Sequence, residues 1–146
     1  MAIHAYMSDY LDHAMETLGD MLDFGVNTCN IEASEIMRHF CETDIGYLFA
    51  DGNPKYIAGM NGCELLRSVW KRAGLSEIEE DDVMYMDKSP EYWAGWVLAY
   101  YQWETCRSFQ DILADTCIDD LIEMYYPLHE ADISKVVEVL NSRQKG

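Results

Sequence analysis

The chain has 146 residues, 49% of them hydrophobic, with ten basic and 27 acidic side chains and a formal net charge of −17. That length suits one domain, and that apolar fraction excludes a disordered chain. The charge opposes phosphate backbones and anionic membranes, so direct binding to nucleic acid or to a membrane is not expected; such a charge serves solubility first, and the sharper reading is an acidic face that meets a basic protein.

Nine glycines and three prolines are few for a many-turned β fold. The five cysteines, at 29, 41, 63, 106 and 117, form no C-x-x-C pair. An odd set of this kind reads as reduced thiols of a cytoplasmic protein, most of them small core residues. The N-terminus has no basic region followed by an apolar run, so no secretion signal is expected.

The spacing predicts a first helix from Ser8 to Val26, capped by Ser8. Leu11, Met15, Leu18, Leu22 and Val26 form its buried stripe; Asp9, Asp12, Glu16, Asp20 and Asp23 form its wet face. Asn30 reads as the next N-cap, opening a helix that ends near Cys41. Short helical turns are expected around Ile45–Ala50 and Pro54–Ile57, separated by the Asp51-Gly52-Asn53-Pro54 turn. Asn61 with Glu64 has the pattern of a capping box, and the helix it starts runs through Ala73 to a C-terminal Gly74.

Residues 76–88, SEIEEDDVMYMDK, carry six acids and one lysine. Mutual repulsion makes them an exposed connection, with Val83 to Met86 as a short extended segment on the core. Glu77, Glu79, Glu80, Asp81, Asp82 and Asp87 are the candidate partner contacts.

Ser89 and Pro90 then start the most apolar helix. Trp93, Trp96, Tyr100 and Trp103 share one face of it, and Ala94, Gly95, Leu98 and Ala99 make the other side apolar too. A helix apolar all round is a buried one, and this run is short of the roughly 20 residues of a membrane span. Those four aromatic residues are the candidate organisers of the core. Further on, Ser108 starts a short helix, Thr116 caps another that Pro127 stops, and Asp132 caps the last. The expected architecture is a single all-α domain over 1–146, compact and wrapped around the helix at about 90–106, with no separate DNA-binding domain.

Motifs that carry chemistry are sparse. His39-x-Cys41 offers two ligand types without the second pair that a closed zinc site needs. His129, after the proline turn, suits loop pinning better than general-base catalysis, because no nucleophile is linked to it. No nucleophile elbow, phosphate loop, metalloprotease helix or dinucleotide fingerprint occurs. The helix–turn–helix rhythm of Ser108–Tyr125 puts Asp119, Asp120 and Glu123 where a DNA reader needs cations. Neither catalytic, cofactor nor metal residues are assigned.

The run Ser89-Pro90-Glu91-Tyr92-Trp93-Ala94-Gly95-Trp96, continued by Leu98-Ala99-Tyr100-Tyr101-Gln102-Trp103, carries a resemblance. With it go Gly52-Asn53-Pro54, Gly59-Met60-Asn61-Gly62-x-Glu64-Leu65, Ser108-Phe109 and Tyr126-Pro127-Leu128-His129-Glu130-Ala131. In these the chain resembles proteins of gut anaerobic bacteria in which such a domain often precedes a C-terminal helix–turn–helix of the phage-repressor type. Some of them are described as antitoxins or transcriptional regulators. The resemblance spans nearly the whole chain, which ends about where the appended module would begin. It implies a non-enzymatic cytoplasmic regulatory or protein-interaction domain, partnered by a toxin or another basic protein. Two other readings stand beside it: an acidic DNA mimic or sequestering protein, and a small-molecule sensor or enzyme with a pocket against the central aromatic helix.

Overall fold

The computed structural model describes residues 3–145. A 3-10 turn, Ser8–Tyr10, leads into α1 (Leu11–Asn27). Then follow α2 (Ala33–Glu42), α3 (Asp44–Ala50), α4 (Pro54–Ile57) and α5 (Gly62–Arg72). After the acidic connection come α6 (Pro90–Thr105), α7 (Phe109–Asp115), α8 (Ile118–Glu123), α9 (Tyr125–Leu128) and α10 (Ile133–Ser142). The described residues hold no β-strand, so the domain is all-α. None of the described helices is long and apolar enough to cross a membrane.

The core is built on a pair of helices, α1 and α6, and α5 also packs on α1. Every residue of α1 from Thr17 to Gly25 is buried. The two helices meet backbone to backbone at Gly19 and Gly95: a Cβ on Gly95 would lie 2.6 Å from the Leu18 carbonyl oxygen, and one on Gly19 would lie 2.8 Å from the Tyr92 ring. Only glycine permits that approach. It also decides which face of α6 goes inward. The small side, with Ala94, Leu98 and Ala99, is fully buried, and Tyr101 is buried beside it.

The indole stripe lies on the flanks. Trp93 and Trp103 are buried, but Trp96 and Tyr100 are half-buried, contrary to a core organised by all four. Bulky rings cannot enter a seam where main chains touch, so they fill the margins under less continuous cover. Tyr125 of α9 meets Trp93 edge-on at 5.9 Å. His4 stacks on Trp103 at 3.7 Å, and the Trp103 indole donates to the Tyr6 carbonyl. A second aromatic knot, Phe40, Phe49 and Phe109, joins α2, α3 and α7.

Local chemistry places most helix ends. Asn61 and Glu64 exchange both bonds of the capping box at α5. Its C-terminus closes with Gly74 at φ +75°, donating to the Lys71 carbonyl while Leu75 donates to Trp70, the paired bonds of a left-handed glycine stop. Ser89, Ser108 and Asp132 cap α6, α7 and α10 with their side chains.

Other expected ends differ. Ser8 makes no cap bond; it opens the 3-10 turn. Asn30 does not cap α2: it sits at φ +57° in the turn after α1, where a short amide side chain tolerates the left-handed region, and Glu32 precedes the helix. Thr116 is buried, and Cys117 occupies the N-cap position of α8. Pro127 lies inside the single turn α9 rather than stopping the helix before it, because an early-turn proline forfeits no helical bond. Of the cysteines only Cys63 is buried; Cys29 and Cys41 are half-buried and Cys106 and Cys117 exposed, all as free thiols.

Candidate interaction surface

Residues 76–88 cross the surface without helix or strand. The strap is nonetheless pinned along its length. Ile78 is its one buried apolar side chain. Arg67 of α5 donates to the Glu80 carbonyl at 2.7 Å and forms an ion pair with Asp82. The Cys63 thiol reaches the Val83 carbonyl, and the Tyr85 hydroxyl bonds to Thr28. Lys88 ends the strap 3.6 Å from Asp20, with its ammonium 4.7 Å from the centre of the Tyr92 ring.

The strap presents Glu77, Glu79, Glu80, Asp81, Asp82 and Asp87 to solvent, all exposed. Among the described residues only Asp82 of these six forms an ion pair. Val83 to Met86 do not lie on the core as an extended segment: Met84 is 50% and Met86 95% exposed. Ile78 is buried and Tyr85 bonds to Thr28, while the Met84 and Met86 side chains turn outward. The surface therefore combines unpaired carboxylates with two flexible apolar side chains.

At the end of the strap is a polar joint that the sequence conceals. Asp20 and Asp23 are not on a wet face; they are 8% and 2% exposed. Both face the start of α6. Ser89 donates to Asp23 at 2.8 Å while accepting from the Tyr92 backbone amide, so one hydroxyl caps α6 and ties it to α1. Asn27 donates to the same Asp23 oxygen and to Glu91. The other oxygen of Asp23 has no protein partner. Burial pushes the Asp20 carboxyl above its ordinary range, against the opposing pull of Lys88. Asp20 and Asp23 fall on the same helical spacing as Asp9, Asp12 and Glu16, which are exposed. The available sequence signal was the apolar run on both sides of them, Leu18, Met21, Leu22 and Phe24.

The histidines hold structure. His129 bonds through Nδ1 to the Tyr125 carbonyl at 2.8 Å and stacks on the Tyr125 ring, pinning α9. His39 lies edge-on to Trp70 and 3.9 Å from Glu35. No cluster of three metal-ligating side chains occurs among the described residues. Comparison with protein-family models, with curated proteins and with solved structures gave no match for this chain.

Proposed function

We propose that this is a non-enzymatic protein-interaction domain whose 76–88 strap receives a basic segment of a partner protein. The observation that carries the reading is the strap itself. Five unpaired acids stand on a segment fixed at Ile78, Arg67 and Lys88, with Met84 and Met86 projecting beside them. Fixed like charges attract a cationic partner and set its rate and register. Unbranched methionines adapt to apolar anchors of varied shape. The resemblance to domains of antitoxins and transcriptional regulators supplies the setting of the proposal: a cytoplasmic regulator whose partner is a toxin or another basic protein.

The test uses the full chain and a labelled amphipathic Lys/Leu helical peptide, read by fluorescence anisotropy. Saturable binding that weakens with added salt is expected. Joint replacement of Glu77, Glu79, Glu80 and Asp81 by Gln or Asn should weaken it, and so should Met84→Ser with Met86→Ser. Neutralising Asp119, Asp120 and Glu123 of α8 should leave it intact. Equal losses from the α8 changes, or retention of duplex DNA in a mobility-shift assay, would overturn the proposal.

A further inference from the structure

A different surface bears an apolar groove. Helices α2, α7 and α8 line an open groove of about 330 Å³, at the lower end of small-molecule sites and too small for a helix. Its walls are Met37, Cys41, Leu113, Ala114, Cys117 and Ile118. The aromatic residues of α6 do not line it.

Arg38 stands at the rim. It is the one arginine without an ion pair among the described residues; Lys55, Lys71, Lys135 and Lys145 are likewise unpaired. Arg67, Arg72, Arg107, Arg143 and Lys88 each lie within ion-pair distance of an aspartate. The Arg38 side chain makes no ion pair or hydrogen bond among the described residues, although Glu32 and Glu35 lie beside it and Glu42 follows by four positions. Glu35 lies instead 3.9 Å from His39. A guanidinium left unpaired in a chain of net charge −17, at the mouth of an apolar groove, is the complement of a carboxylate on an apolar body.

We propose that this groove binds a small amphiphilic carboxylate, its apolar part between Met37, Leu113 and Ile118 and its carboxylate on Arg38. Glu42, which also lines the rim, competes for the guanidinium and limits the affinity. The site is independent of the strap.

Octanoate, with octanol as the uncharged control, tests this on the intact chain. Calorimetry should show saturable binding of octanoate. Octanol should bind about two- to fivefold more weakly, the loss expected for an ion pair at an exposed guanidinium. Octanoate should also slow maleimide alkylation of Cys117, which lines the groove, and leave Cys106, which does not, unchanged. Arg38→Gln should lower octanoate affinity to that of octanol, and Glu42→Gln should raise it. Leu113→Trp, filling the groove, should abolish both effects with the helical circular dichroism retained. Equal binding of octanoate and octanol, no effect of Arg38→Gln, or no saturable binding would overturn the assignment.

Discussion

Ser89 Oγ lies 2.8 Å from Asp23 Oδ1 across the junction of α6 and α1. The same hydroxyl accepts from the Tyr92 amide, so it is both helix cap and interhelix tie. Ser89→Ala removes both and leaves the buried Asp23 carboxylate with Asn27 as its remaining donor. The expected loss is about 2–3 kcal/mol in urea denaturation, a cap of about 1 kcal/mol plus a charge-assisted bond. Asp23→Asn keeps an acceptor for Ser89 and removes the charge, so it should cost less than Asp23→Ala. If Asp23→Ala proved the milder change, the tie would contribute nothing.

Asp20 sets a pH dependence of a recognisable sign. Its folded-state carboxyl titrates above the ordinary 3.8, through burial first, with Asp23 and Glu16 adding to the rise and Lys88 opposing it. Between the unfolded value and the higher folded one, the folded chain binds more protons than the unfolded chain. Stability from this group is therefore present at low pH and falls as pH rises through that window. Asp115, bonded to Arg107, and Asp132, bonded to Ser134, sit below the ordinary value and act oppositely, losing their stabilisation as pH falls. Asp20→Asn isolates the first effect. Its stability difference from wild type should move in the variant's favour as pH rises from the acid range to neutrality. A pH-independent difference would count against the assignment.

The helices were legible because caps and periodicity are local: Ser89, Asn61, Ser108 and Asp132 all cap where the sequence places them. The two departures in burial, at Trp96 and at Asp20 with Asp23, share a cause that is not local. Helical spacing puts Trp96 on a core face and Asp20 on a wet one, but burial here follows from the Gly19–Gly95 contact, which seats small residues in the seam. That contact draws in two aspartates and displaces an indole. The strap was legible from its charge. Its anchoring by Arg67, Cys63 and Thr28 was not, since each anchor comes from a helix distant in sequence.

The seam is tested by comparing three positions on α6. Leu98→Ala empties a fully buried site and should cost about 2–5 kcal/mol. Gly95→Ala places a methyl against the α1 main chain, which has no flexible end to yield, and should cost about 1–3 kcal/mol or more. Trp96→Ala, at a half-buried flank, should cost less than Leu98→Ala despite the larger side chain. The reverse order in denaturation midpoints would return the indole stripe to the centre of the core.

The five thiols should report the packing in sequence of reactivity. Cys106 and Cys117 are exposed and should react first with an aromatic disulfide reagent at pH 8. Burial pushes the thiols of half-buried Cys29 and Cys41 up to about 11, leaving roughly one molecule in a thousand as thiolate, so they should follow slowly. Cys63 is buried beneath the strap, its thiol reaching the Val83 carbonyl at 3.7 Å, and its ionisation is also raised by burial. It should stay unreactive until denaturant is added. Arg67→Ala removes the guanidinium that holds Glu80 and Asp82 over α5. In that variant Cys63 should become reactive without denaturant while the helical circular dichroism is unchanged. Continued protection of Cys63 would mean that Ile78 and Tyr85 hold the strap without the arginine.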